Sequence, residues 1–178
     1  IAGSPSVDAK VELLLKEKPP IVSLGGILRT NAITTLKEAG IIVLAVVSNV
    51  KNAKRCIKAG ADAIVVEGVE AGGHIENGGL TTMVLTRSAA KQLSVPVISA
   101  GGIVDGAGMA AAFALGADGV QIGTRFVCAT ESPVHPAVVD AFIAAPEQAT
   151  VVTGDKLKIR SIKNELTNNY QDIAAKVM

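Results

Sequence analysis

Aromatic side chains are scarce in this 178-residue chain: three Phe, one Tyr and no Trp, 2% in all. That scarcity argues against the stacking platforms on which single-strand binders lay successive bases. The 17 basic and 16 acidic residues nearly cancel, and no basic patch stands out to meet a phosphate backbone. Nucleic acid is therefore not an expected partner. Two cysteines, Cys56 and Cys128, lie far apart without a CxxC spacing, and the two histidines show no HExxH pattern. Neither a disulfide framework nor a metal site is expected, and both cysteines read as reduced packing residues, one on a helix and one at a strand end. Long apolar runs are missing as well. The longest, 41–47 and 110–115, fall well short of the roughly 18 residues that span a bilayer, and no basic, apolar, small-residue leader opens the chain. The expectation is a cytoplasmic protein with no membrane association.

What is present is a chain 49% hydrophobic, whose 18 glycines and seven prolines fall mainly between apolar runs. It reads as one domain, 1–178, long enough to bury a core. Five β-branched runs, 21–24, 41–47, 63–66, 95–100 and 119–126, are near-continuously apolar, which suits parallel strands covered on both faces. Between them, 31–39, 50–59, 81–93 and 105–115 have helical composition, several ending in a glycine that serves as a left-handed stop. One phrase occurs twice, as Lys58-Ala59-Gly60-Ala61-Asp62-Ala63 and Ala114-Leu115-Gly116-Ala117-Asp118-Gly119, with a weaker echo at Glu38-Ala39-Gly40-Ile41. Repeated βα units of this kind build barrels. A complete eight-stranded barrel takes about 250 residues. The expected fold is therefore α/β, the last five or so βα units of a (β/α)8 TIM barrel, with a smaller open α/β sheet as the alternative. The opening Ile1-Ala2-Gly3-Ser4-Pro5 reads as the loop after a preceding strand. The tail 155–178 reads as a turn followed by helix, with Lys163, Glu165 and Lys176 on solvated faces.

Two strand ends carry phosphate-binding chemistry. Ser99-Ala100-Gly101-Gly102 and, one helix later, Gln121-Ile122-Gly123-Thr124-Arg125 place glycine turns on neighbouring strands. Glycine admits an anion close to backbone N–H groups, and a helix opening just after adds the favourable end of its dipole. One Gly-Gly pair is ordinary turn punctuation, but two cooperating strand ends with a threonine hydroxyl point to a cradle. Arg125 adds charge for a phosphate or forms a salt bridge across the rim. A third strand end, Glu67-Gly68-Val69-Glu70-Ala71-Gly72-Gly73-His74, brings an imidazole and two carboxylates to the same face, where histidine is suited to proton transfer. Glu67 is a candidate ligand contact and Glu70 a candidate loop cap. His135, before Pro136, reads as a structural cap for a helix over 137–144. These residues leave open a phosphosugar isomerase or synthase barrel using the cradle for a substrate phosphate, and a non-catalytic remnant.

The segments EGVEAGGH (67–74), PVISAGGIVDG (96–106), ALGADGVQIGTRF (114–126) and SIKNELT (161–167) resemble the superfamily of nitronate monooxygenases and type II (FabK-like) enoyl-acyl-carrier-protein reductases. LTTMVL and GTRFVCATESPVHP are more similar to the reductase branch. The resemblance implies an FMN-dependent TIM barrel in which Ala100, Gly101, Gly102, Ile122, Gly123 and Thr124 hold the FMN phosphate. Glu67 would lie near the ribityl chain or ring and Gly73 against the cofactor, with His74 catalytic over the isoalloxazine. It further implies NADH or NADPH as electron donor and an enoyl substrate, free or on acyl carrier protein, in fatty acid synthesis, with oxidation of alkyl nitronates as the alternative. Three departures stand out. The family's N-terminal strands, with a glycine-rich flavin contact and an asparagine, have no counterpart here. HIENGGLTTM is two residues longer than the usual form, and no glycine-histidine-proline segment precedes Arg160. A partial barrel would expose sheet edges and apolar helix faces, so a homo-oligomer is a possible state.

Overall fold

In the computed structural model, which describes residues 7–26, 30–75, 79–154 and 158–170, strands and helices alternate along most of the chain. Helix α1 (Val7–Glu17) is followed by β1 (Ile21–Leu24), α2 (Thr30–Glu38), β2 (Ile42–Val47), α3 (Val50–Lys58) and β3 (Ala63–Glu67). A short strand β4 (Gly73–Ile75) precedes α4 (Thr82–Ala90), β5 (Val97–Ala100), α5 (Gly106–Ala114), β6 (Gly119–Gln121), α6 (Thr124–Val127) and α7 (Pro136–Ile143). Strands β7 (Thr150–Thr153) and β8 (Lys158–Ile162) and the short α8 (Glu165–Asn168) complete the described elements.

Strands β1, β2, β3, β5 and β6 form one parallel sheet in that order. Each new strand adds to the same edge, without the reversal of order that marks a doubly wound sheet, as successive units of a barrel do. Ile33 and Leu36 of α2, Ala53 and Cys56 of α3, and Leu85 and Ala89 of α4 share one buried cluster with Val22, Leu24, Val43, Val47, Ile64 and Val66. Burial of each large aliphatic side chain contributes about 1.5–3 kcal/mol. The opposite face is less covered. Ile21 and Ile42 are exposed and Leu44 and Val46 half-buried, so β1 and β2 alternate, where both faces were expected to be covered. Strand β3 is buried on both faces over Ala63, Ile64, Val65 and Val66, and β5 buries Ser99 and Ala100 on opposite faces.

The repeated phrase has a physical role. Helix α3 ends at Ala59, Gly60 takes φ +104°, its N–H donates to Ile57 O (2.9 Å), and Ala61 N–H donates to Cys56 O (3.0 Å). Helix α5 ends identically, with Gly116 at φ +97°, Gly116 N–H on Phe113 O (2.9 Å) and Ala117 N–H on Ala112 O (3.1 Å). These two bonds satisfy the last helical carbonyls, and glycine alone enters the left-handed turn without a Cβ penalty. The aspartate that follows pins the incoming strand to its neighbour: Asp62 Oδ2 accepts from Val43 N (2.9 Å) and Asp118 Oδ2 from Val97 N (2.8 Å).

Three expectations need correction. The run 119–126 is not one strand: β6 ends at Gln121, and Thr124–Val127 is helical. The ladder stops at the pair Ala100↔Gln121 because β5 turns away at Gly101, leaving Ile122 nothing to pair with. Cys128 accordingly ends α6 rather than a strand, while Cys56 is buried in α3, and neither forms a disulfide. The tail is not turn and helix throughout. Its residues 158–162 form β8, antiparallel both to β7 and to β4, with Lys163 and Glu165 exposed beyond it. Residues 1–6, the insertion-bearing residues 76–78, 155–157 and Lys176 lie outside the described residues. No helix among the described residues is long and apolar enough to cross a membrane.

Candidate functional site

Glu67, Ala100 and Gln121 stand in register across β3, β5 and β6, so three neighbouring parallel strands reach their carboxyl ends level with one another. Adjacent strands lie about 4.8 Å apart, and the segments leaving them are forced together. Gly68 N–H donates to Ala100 O at 3.0 Å, tying the loop after β3 to the end of β5. A Cβ on Gly101 would lie 3.1 Å from Gly68 O and 3.2 Å from Ala71 N, and one on Gly72 would lie 3.5 Å from Thr124 Oγ1. The three strand ends singled out by sequence thus meet in one place, at the carboxyl face where barrel sites are built.

Within this cluster Glu67 is half-buried at the end of β3 and Ala100 is buried at the end of β5. Gly101 (φ +103°) and Gly102 (φ +69°) both hold left-handed backbone, a conformation that requires glycine here. Ile122 is half-buried, Gly123 precedes α6 with open space around its Cβ position, and Thr124 is exposed. Gly73 (φ +76°) and His74 are exposed on β4. Arg125 is exposed on α6. His135 is elsewhere: its Nδ1 accepts from Ala137 N (3.2 Å) as the cap of α7, with Pro136 at the first helical turn, the structural role its sequence position suggests.

The histidine loop is held from two sides. On one, β4 pairs with β8, setting Gly73 opposite Arg160 and His74 opposite Ile159. The Arg160 guanidinium donates to Val69 O from Nη2 (2.9 Å) and Nε (3.3 Å), and from Nη1 to Thr150 Oγ1 (3.1 Å). On the other, Glu70 turns back to α4, its carboxylate accepting from Thr82 N at 3.0 and 2.9 Å. Glu70 therefore caps a helix start twelve residues downstream, whereas Thr81, at the N-cap position itself, makes no side-chain cap bond. Sequence reasoning singled out neither Thr82 nor Gly68. A Thr-Thr pair before an apolar stretch signals a helix start, but nothing local announces that its partner is Glu70.

A family model described as nitronate monooxygenase matches residues 2–177. A nitronate monooxygenase of Paraburkholderia phytofirmans is 43% identical over 153 residues, covering 82% of this chain and 42% of that protein. Among solved structures, FabK from Thermotoga maritima aligns with a TM-score of 0.91 at 43% identity, covering 96% of this chain and 55% of that one. A nitroalkane oxidase from Streptomyces ansochromogenes gives a TM-score of 0.81 at 32% identity, over 92% of this chain and 51% of its own. The chain thus spans about half the length of these relatives. Its five parallel strands are consecutive units of a (β/α)8 barrel.

Proposed function

We propose that this chain, which belongs to the nitronate monooxygenase family, carries the phosphate-binding and proton-transfer part of an FMN-dependent oxidoreductase. The observation that supports this most is the meeting of three loops at level strand ends: 68–73 with the histidine, 101–102, and 122–124. The residues suit a flavin phosphate. Left-handed Gly101 and Gly102 present main chain instead of side chain, and the space around the Cβ positions of Gly73 and Gly123 is open. Backbone amides of the 100–102 and 122–124 turns and the Thr124 hydroxyl would hold the phosphate, with Glu67 and Gly73 flanking the rest of the cofactor. Bound FMN supplies two-electron redox chemistry at its ring.

His74 stands exposed on β4 beside this cradle and would hold or deliver a proton to substrate. Saturating an enoyl thioester takes a hydride at the β-carbon and a proton at the α-carbon; His74, or a water that it orders, is assigned the proton. NADH or NADPH would be the electron source. The likeness to FabK over nearly the whole chain supports this enoyl reading. The family model supports a second reading, oxidation of an alkyl nitronate with His74 as base or substrate orienter.

The test is titration of the chain with FMN, followed by flavin absorbance and fluorescence, beside Gly123→Val. Saturable binding by the parent, lost in the variant, is expected. A parent that takes up no FMN, or a variant that binds as well as the parent, overturns the assignment. With flavin bound, anaerobic bleaching by NAD(P)H and recovery on an enoyl thioester supports the reductase reading. Oxygen uptake driven by an alkyl nitronate instead supports the oxidase reading.

A further inference from the structure

We propose that Thr82 is a positioning residue that locks the histidine loop to the glycine turn of the cradle, and that its hydroxyl sets the placement of both. Buried Thr82 stands where α4, the loop after β3 and the end of β5 meet. Its Oγ1 lies 2.8 Å from Gly101 O, 3.2 Å from Ala100 O and 3.1 Å from Glu70 Oε2, three acceptors within reach of one hydroxyl proton. Its main-chain N–H is also committed, to the two oxygens of Glu70. One residue thus touches the cradle turn through its hydroxyl and the histidine loop through Glu70, four residues before His74.

The neighbouring glycines show how closely the contact is built. A Cβ on Gly68 would sit 2.2 Å from Thr82 Oγ1, and one on Gly101 would sit 2.8 Å from it. A Cβ on Gly102 would lie 3.1 Å from Glu70 Cβ. No side chain fits between these segments, so the hydroxyl is the spacer that fixes their separation. Replacing it by a methyl, as in Thr82→Val, puts carbon where the hydroxyl stands 2.8 Å from Gly101 O, and leaves the Ala100 and Gly101 carbonyls without that donor. The segments must then part. Thr82→Ser keeps the hydroxyl and removes only the methyl.

The chain has two histidines, which makes the test direct. The imidazole C–H resonances of His74 and His135 are compared in the parent, Thr82→Val and Thr82→Ser. The His74 signal is expected to move or broaden in Thr82→Val and to return in Thr82→Ser, with the distant His135 cap of α7 unchanged in both. FMN affinity should fall on the order of tenfold in Thr82→Val and recover in Thr82→Ser, the change that follows from losing about one hydrogen bond. His74 signals identical to the parent's in Thr82→Val overturn the lock, as does a Thr82→Ser variant that fails to restore them. The flavin arm rests on the function proposed above. If the parent binds no FMN that function falls, while the histidine signals still decide the role of Thr82. Should Thr82→Val not fold, exposed Glu70→Ala removes the other half of the bridge: a displaced His74 signal is then expected, and an unmoved one overturns the proposal.

Discussion

At the scale of single residues, glycines in this site divide into those the fold requires and those that leave room for a ligand. Gly68 belongs to the first group. Its missing side chain would fall 2.2 Å from Thr82 Oγ1, 2.3 Å from Thr82 N and 2.6 Å from Thr82 Cα, so relief requires moving backbone as well as a side chain. Gly68→Ala is therefore expected to destabilise the chain by about 1–3 kcal/mol, the usual scale of overpacking, read as a lower urea midpoint. Gly123 belongs to the second group, with φ −104° and nothing within 4 Å of its Cβ position. Gly123→Val should shift the same midpoint by no more than about 0.5 kcal/mol, as surface substitutions do, which makes it a clean probe of flavin binding. A Gly68→Ala midpoint equal to the parent's would show that the contact yields freely. The sequence made Gly123 conspicuous, left Gly68 unremarked, and could not sort the two. That sorting depends on Thr82, brought in from fourteen positions away, and on how far Thr124 stands from the Gly72 turn.

At the scale of elements, local signals were legible and long-range pairings were not. Helix stops at Gly40, Gly60 and Gly116 and the strand cores of β2, β3 and β5 all follow from short-range chemistry. Thr-Val-Val-Thr of β7 is wholly β-branched and was passed over, whereas Lys-Ile-Arg-Ser-Ile of β8 has little strand character alone. It becomes a strand by pairing with Thr150–Thr153 on one side and Gly73–Ile75 on the other. The aspartate of the repeated phrase offers a test of how βα units are joined. Desolvation raises the Asp62 pKa, but hydrogen bonds from the Lys37 ammonium and the Val43 amide outweigh it and hold the carboxyl below its ordinary value. A carboxylate depressed in the folded state adds stability above its unfolded value, about 3.9, and loses it as pH falls through the folded value. Asp62→Ala should thus lower stability by about 1 kcal/mol at neutral pH, with the gap to the parent closing in acid. The pair with Lys37 is partly solvent-exposed, so the share of this effect owed to the ion pair should shrink with added salt while the share owed to the Val43 amide remains. A gap that stays constant into acid would separate Asp62 from the joint between β2 and β3.

At the scale of the whole molecule, burial is unequal along the chain. The principal core draws on β1, β2, β3, β5, α2, α3 and α4, whereas the cluster beyond β5 consists of Ile103, Ala112 and Ala117 with Val120 and Ile122 beside it. Among the described residues, α6 and α7 bury no side chain fully, and Phe113, Phe126, Val138 and Ile143 are exposed at 45%, 65%, 42% and 73%. Opening free energy follows local burial, since each region is held by the apolar area it removes from water. Amide hydrogen exchange should accordingly show two levels of protection: high and cooperative through β2, β3, α3 and α4, lower from α5 to α7. The cradle lies on the boundary, with Ala100 and Gly101 tied to the stable side through Thr82, and Gly123 and Thr124 on the labile side. A ligand bridging both turns would draw the labile side into the cooperative unit, because binding only the native arrangement stabilises it by mass action. Saturating FMN is therefore expected to raise protection across α5 and α6 more than across α3. Equal protection throughout the free chain would contradict the two-level core, and a gain confined to α3 and β2 would contradict the proposed placement of a phosphate between β5 and β6.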